Sequence, residues 1–122
     1  MTKDDLTKEV KRNPNKMDPE CVKLCNAINK IPGLQTTESC CGHGKDEFRI
    51  WFEVKSLKKL PILLYYLVPC HVSFRWICRV RTDCAMSPVL FVLESEDKGK
   101  EAYRQANVIA NKILAYLDCG IM

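Results

Sequence analysis

A two-layer α+β fold in a single domain is what the amino-acid sequence predicts, on three observations. Four segments have the alternating or β-branched apolar pattern of strands, and three carry apolar residues at helical spacing. The connections between them are short. The resulting order is α-β-β-α-β-β-α, which folds most simply as two hairpins in a mostly antiparallel sheet with the helices on one face. A length of 122 residues suits one domain with a core of its own, and no repeat, linker or low-complexity tract marks off a second.

Residues 1–16 are polar and read as a flexible N-terminal arm, with Leu6 and Val10 spaced for a short helical turn. Asp18, Pro19 and Glu20 then open the first helix: an N-cap carboxylate, a proline at the first helical position and an acid in the first turn. Cys21, Leu24, Cys25 and Ile28 form its apolar stripe, and Pro32-Gly33 stops it, giving a helix over 19–30. Leu34 to Cys40 is a strand with Thr36 and Thr37 at its centre, followed by a glycine-containing loop from Cys41 to Glu47. In the next strand, Phe48, Ile50, Phe52 and Val54 face inward and alternate with Arg49, Trp51, Glu53 and Lys55.

Ser56 is placed to cap a second helix whose apolar face is Leu57, Leu60, Leu63, Leu64 and Leu67. Pro61 should tighten or kink that helix, and Pro69 should end it. The third strand runs from Val72 to Thr82, with Phe74, Trp76, Cys78 and Val80 on one face and Arg75, Arg79 and Arg81 on the other. After a turn over 83–88, Val89 to Glu94 is an almost wholly apolar fourth strand. Asp97 to Gly99 lead into the last helix, striped by Ala102, Ala106, Ile109, Ala110, Ile113, Leu114 and Leu117, with Gly120 where a C-terminal cap would fall.

Composition narrows the function classes. Hydrophobic content of 47% and charged content of 28% are ordinary for a globular protein, and a net charge of +4 permits a polyanionic partner without requiring one. The charged start MTKDDLTKEVKR has no apolar core of a secretory signal, and the run from Leu60 to Val68 is too short to span a bilayer. A cytoplasmic location away from membranes is therefore expected. Under that expectation the eight cysteines read as mainly reduced thiols at positions that want small apolar side chains.

The stretch TTESCCGHGK, Thr36 to Lys45, concentrates the polar chemistry. Gly42 and Gly44 on either side of His43 permit positive φ, so that successive amides could converge on an anion or a nucleotide-type ligand, with Thr37, Ser39 and Lys45 adding donors. Cys40 and Cys41 border the same bend, and His43 is the candidate catalytic residue. A plain hairpin loop that needs glycines to turn explains the same residues. Zinc is a further alternative, with Cys40, Cys41, His43, Cys70 and His71 as ligands. Adjacent strand residues point to opposite faces, and no CxxC pair occurs, so the spacing weighs against metal. A thiolate nucleophile beside His43 is the remaining chemistry, although no orienting acid is apparent.

Cys21, Leu24, Cys25, Ile28 and Asn29 leading into TTESCCGHG resemble the tRNA wybutosine-synthesizing protein 3 family, in which an LC-and-IN-type helix precedes TSSCSGR. The strand after the loop, His71-Val72 and Cys78-Arg79 continue the similarity over residues 18–82. Ser39, Cys40 and Gly42 fit the motif; Cys41 stands where the family has a second serine and His43 where it has arginine. The resemblance implies a related fold, S-adenosylmethionine as cofactor and methyl transfer to a guanine-derived base of tRNA.

Arg49, Arg75, Arg79 and Arg81, with Trp51 on the same outward set as Arg49, form a candidate nucleic-acid surface: cations for phosphates and an indole for base stacking. The plainer account is a solvated sheet face whose arginines pair with Glu53 or Glu94. Two function classes follow. One is an enzyme or cofactor binder acting on a nucleotide or RNA; the other is a non-catalytic nucleic-acid or protein binding module of phage or mobile-element type.

Overall fold

The computed structural model describes residues 17–67, 76–81 and 90–119. The expected arm over 1–16 and the expected elements over 72–75 and 82–89 lie outside the described residues, as do Cys70, His71, Arg75 and Gly120. Within them the order is α1 (Pro19–Asn29), β1 (Leu34–Cys40), β2 (Glu47–Val54), α2 (Leu60–Leu67), β3 (Trp76–Arg81), β4 (Leu90–Lys98) and α3 (Gly99–Asp118). The fold is α+β, as the periodicity predicts. Its four strands lie in the order β1-β2-β4-β3, and every pairing is antiparallel.

Inward residues of the strands meet two helices. Phe48, Ile50 and Phe52 of β2 are fully buried, and Leu93 of β4 nearly so, beneath Leu24, Cys25 and Ile28 of α1 and Ala102, Ala106, Ile109 and Ala110 of α3. Burying each such aliphatic or aromatic side chain stabilises the fold by roughly 1.5–3 kcal/mol. Phe48 also anchors an aromatic cluster, 5.6 Å from the ring of Trp76 and 6.2 Å edge-on from Tyr103. At the end of α1, the Asn29 amide donates to Thr36 Oγ1 (2.9 Å) and its oxygen accepts from the Thr36 amide (2.7 Å). That pair fixes the helix against the middle of β1.

Five local expectations are corrected. Asp18 precedes α1 but its carboxylate makes no capping bond there; its partner is elsewhere, as described below. Ser56 makes no side-chain cap either, and the chain enters α2 through a 3-10 turn, Leu57–Lys59. That turn places Pro61 in the first turn of α2, where its missing amide is harmless, and leaves Leu57 70% exposed rather than in the apolar face. β4 does not stop at Glu94 but continues through Lys98, because its polar end is paired on both sides: Lys98 lies opposite Glu47, and Ser95 opposite Trp76. Val80 is 66% exposed at the sheet edge, although it shares the inward alternation of Trp76 and Cys78.

A buried amide completes the core. Gln105 of α3 is fully buried inside a stripe otherwise made of alanine and isoleucine. Its oxygen accepts from Trp76 Nε1 (2.7 Å), and its nitrogen donates to Asp97 Oδ2 (2.7 Å) and Glu101 Oε2 (2.9 Å). A polar side chain withdrawn from water is tolerated when it is satisfied in this way. The amide thereby ties β3, the end of β4 and the first turns of α3 together.

Candidate functional site

Two regions gather the residues singled out by sequence. The first is the bend between β1 and β2. Gly42 (φ +80°), His43 (φ +53°) and Gly44 (φ +82°) are all left-handed, three in a row. Glycine accepts this conformation freely, but for histidine it is strained, by about 1 kcal/mol or more. A Cβ on Gly42 would lie 2.9 Å from the carbonyl oxygen of Glu47, so that glycine is also required sterically.

The amides of the bend bond within the chain rather than converging on a common point. Cys41 N donates to Asp18 Oδ2 (2.9 Å), Gly42 N to Cys40 Sγ (3.4 Å) and His43 N to Cys41 Sγ (3.3 Å). The amides of Lys45 and Asp46 both donate to the Gly42 carbonyl, at 3.0 Å each. An anion cradle of the expected kind would need these donors, and here they have internal partners. Asp18, expected as a helix cap, instead joins the start of α1 to the end of β1.

The side chains of the bend fall into two groups. Cys41 is buried, faces Tyr103 of α3, and lies with its sulfur 3.8 Å from His43 Nδ1. Burial pushes its thiol pKa up, against the opposing effect of the His43 amide. The bond to Cys41 likewise raises the Tyr103 phenol. Cys40 is half-buried and His43 exposed, and one ligand-type atom each from Asp18, Cys40 and His43 lie within 4.8 Å of one another. Ser39 Oγ is buried close to the Cys21 thiol, whose pKa is raised chiefly by burial. Thr37 occupies a bulge in β1, and its hydroxyl donates to the Trp51 carbonyl (3.3 Å).

The second region is the sheet face that, among the described residues, no helix covers. Register alone builds it: Glu38, Trp51, Val92 and Arg79 form one row across β1, β2, β4 and β3. Cys40, Arg49, Glu94 and Ile77 form the next. Arg49, Trp51, Arg79, Val80, Val92 and Glu94 line a shallow groove of about 360 Å³. Glu94 sits in its floor with its side chain only 10% exposed, accepting from Arg49 Nε on Oε2 (3.1 Å) and pairing with Arg79 Nε on Oε1 (3.3 Å). Arg49 also reaches Glu47 (3.0 Å), which in turn faces Lys98 (3.8 Å). The pKa of Glu47 is lowered first by its own amide and then by Lys98 and Arg49. Arg81 ends β3 opposite Leu90.

One carboxylate between two guanidiniums leaves that trio with one net positive charge and holds both arginines in fixed directions. The pairing with Glu94 foreseen for a solvated face is present; of the five residues named for a nucleic-acid surface, Arg49, Trp51 and Arg79 line the groove, Arg81 ends β3, and Arg75 lies outside the described residues. No helix of the described residues is long and apolar enough to cross a membrane. Compared with protein-family models, with curated proteins and with solved structures, the chain matches none.

Proposed function

We propose that this domain binds unpaired nucleic acid, RNA in the first instance, on the exposed face of its sheet. The observation that carries the reading is the groove that gathers Arg49 and Trp51 of β2 with Arg79 of β3, two strands that are not neighbours and are brought together across β4. A half-buried indole is a stacking platform for a base, and flanking guanidiniums on a rigid sheet suit the phosphates on either side of it. Glu94 orients those guanidiniums and limits the net charge, so binding should rest more on stacking than on a high positive potential. On this reading the protein is a binding module. Methyl transfer, which the resemblance to the wybutosine-synthesizing protein 3 family implies, has less support, because the amides of the Ser39 to Lys45 bend are engaged by Asp18, Cys40, Cys41 and Gly42.

The test is a fluorescence-anisotropy titration with short single-stranded RNA and DNA, run over a range of salt concentrations beside a thermal-shift screen with S-adenosylmethionine. Salt-sensitive binding that is lost in Trp51→Ala, with no shift from the cofactor, is the expected result. Stabilisation by S-adenosylmethionine without RNA binding would return the function to the bend and to enzyme chemistry.

A further inference from the structure

Asp18, Cys40 and His43 belong to three different local structures: the residue before α1, the last residue of β1, and the left-handed bend. They bring a carboxylate, a thiol and an imidazole to one place, with one candidate ligand atom from each inside a 4.8 Å circle. These are the three donor types that a borderline divalent metal takes. Ligand atoms on a tetrahedral zinc ion stand roughly 3.3–3.6 Å apart, given metal–ligand distances near 2.0–2.3 Å. The observed spread exceeds that size by at most about 1.5 Å.

The surroundings favour the ligating forms. The Cys41 amide holds Asp18 by Oδ2, and the Gly42 amide donates to Cys40 Sγ, an interaction that strengthens when the sulfur is a thiolate. His43 itself sits at positive φ (+53°), with a ring nitrogen inside the cluster. From these contacts we infer that Asp18, Cys40 and His43 form a three-ligand site for a zinc-type divalent cation, with the fourth position left for water or an incoming donor. The set differs from the zinc alternative read from the sequence, Cys40, Cys41, His43, Cys70 and His71, of which Cys70 and His71 lie outside the described residues. Asp18 enters it, and Cys41 leaves it for Tyr103. Binding converts the Cys40 thiol to thiolate and releases its proton to solvent, so affinity must fall as pH falls.

The site can be tested on the full-length chain, stripped with chelator and kept reduced, by titration with cobalt(II) followed by zinc competition. Expected are one equivalent of cobalt, a thiolate-to-cobalt absorption band, its displacement by zinc, and release of a proton. Removing a direct ligand should cost at least as much as removing an outer partner, so Cys40→Ser should weaken binding by about 100-fold or more. His43→Gly is the decisive variant, because glycine relieves the left-handed strain while deleting the imidazole. It should fold at least as stably and bind at least about 100-fold more weakly. Cys119→Ser, which removes an exposed thiol at the far end of α3, should change nothing. Absence of saturable binding below millimolar metal overturns the site. Undiminished binding by His43→Gly does so equally, as does a band that follows Cys41 or Cys119 in place of Cys40.

Discussion

The bend and the sheet face solve opposite problems with the same materials. In the bend, backbone geometry is costly and the polar groups are locally satisfied. Three left-handed residues are held by bonds from Asp18, Cys40, Cys41 and Gly42, and a phenol from α3 closes the far side. On the face the backbone is extended, with register shifts at Thr37 and beside Arg49, and the side chains set its character, two arginines sharing one nearly buried carboxylate beside an indole N–H that is buried without a partner. The difference is instructive about where each region can do chemistry. The bend presents only side chains, since its amides are occupied, whereas the face presents a surface whose charge can be retuned by a single residue.

The largest effect that would break this contrast is steric. Gly42→Ala should destabilise the fold by roughly 3 kcal/mol, since it adds a Cβ at 2.9 Å from the Glu47 carbonyl to an unfavourable φ. Urea unfolding measures it, and a loss below 1 kcal/mol would mean that the bend is not rigid. Trp51→Ala comes next. It should cost about 1–3 kcal/mol of RNA affinity while leaving the fold intact by circular dichroism; unchanged affinity would leave the face without a role.

Glu94→Gln sharpens the comparison, because its two readouts move apart. Losing the shared carboxylate should lower stability by about 1 kcal/mol, and the freed charge should tighten RNA binding with a steeper salt dependence. Parallel losses in both would make Glu94 a purely structural residue. In the bend, His43→Gly should raise stability by roughly 0.5–1 kcal/mol, visible as a higher Tm. The smallest effect lies away from both regions. Bonds from Arg104 and then Gln105 hold Glu101 down to about 2, below its ordinary value. A lowered carboxylate contributes stability that is complete above its unfolded pKa and fades as pH falls through the folded one. Loss should therefore begin below about pH 4.5 and finish near pH 2, and an NMR titration of the Glu101 carboxyl should show it.

Much of this architecture was legible along the chain, for a local reason. β2 alternates so regularly that burial of Phe48, Ile50 and Phe52 could be read directly, and α1, α3 and the limits of β1 followed from helical spacing, Pro19 and the Pro32-Gly33 stop. The polar end of β4 was not legible, because ESEDK resembles a strand only when β2 and β3 flank it. Gln105 is illegible for a related reason: a glutamine within an alanine–isoleucine stripe reads as a surface residue until Trp76, Asp97 and Glu101 surround it.

The candidate sites divide along the same line. Sequence alone determined that Cys40, Gly42, His43 and Gly44 would make a permissive bend, and that Arg49 and Trp51 would face away from Phe48 and Ile50, because both properties are set by residues next to one another. Tertiary structure alone decided that Asp18 would leave its helix for the Cys41 amide, that Cys41 would turn to Tyr103, and that Arg79 would meet Arg49 over Glu94. Those choices depend on strand order and on how α1 and α3 seat on the sheet. Contacts between residues distant in the chain leave no periodicity for a sequence to display.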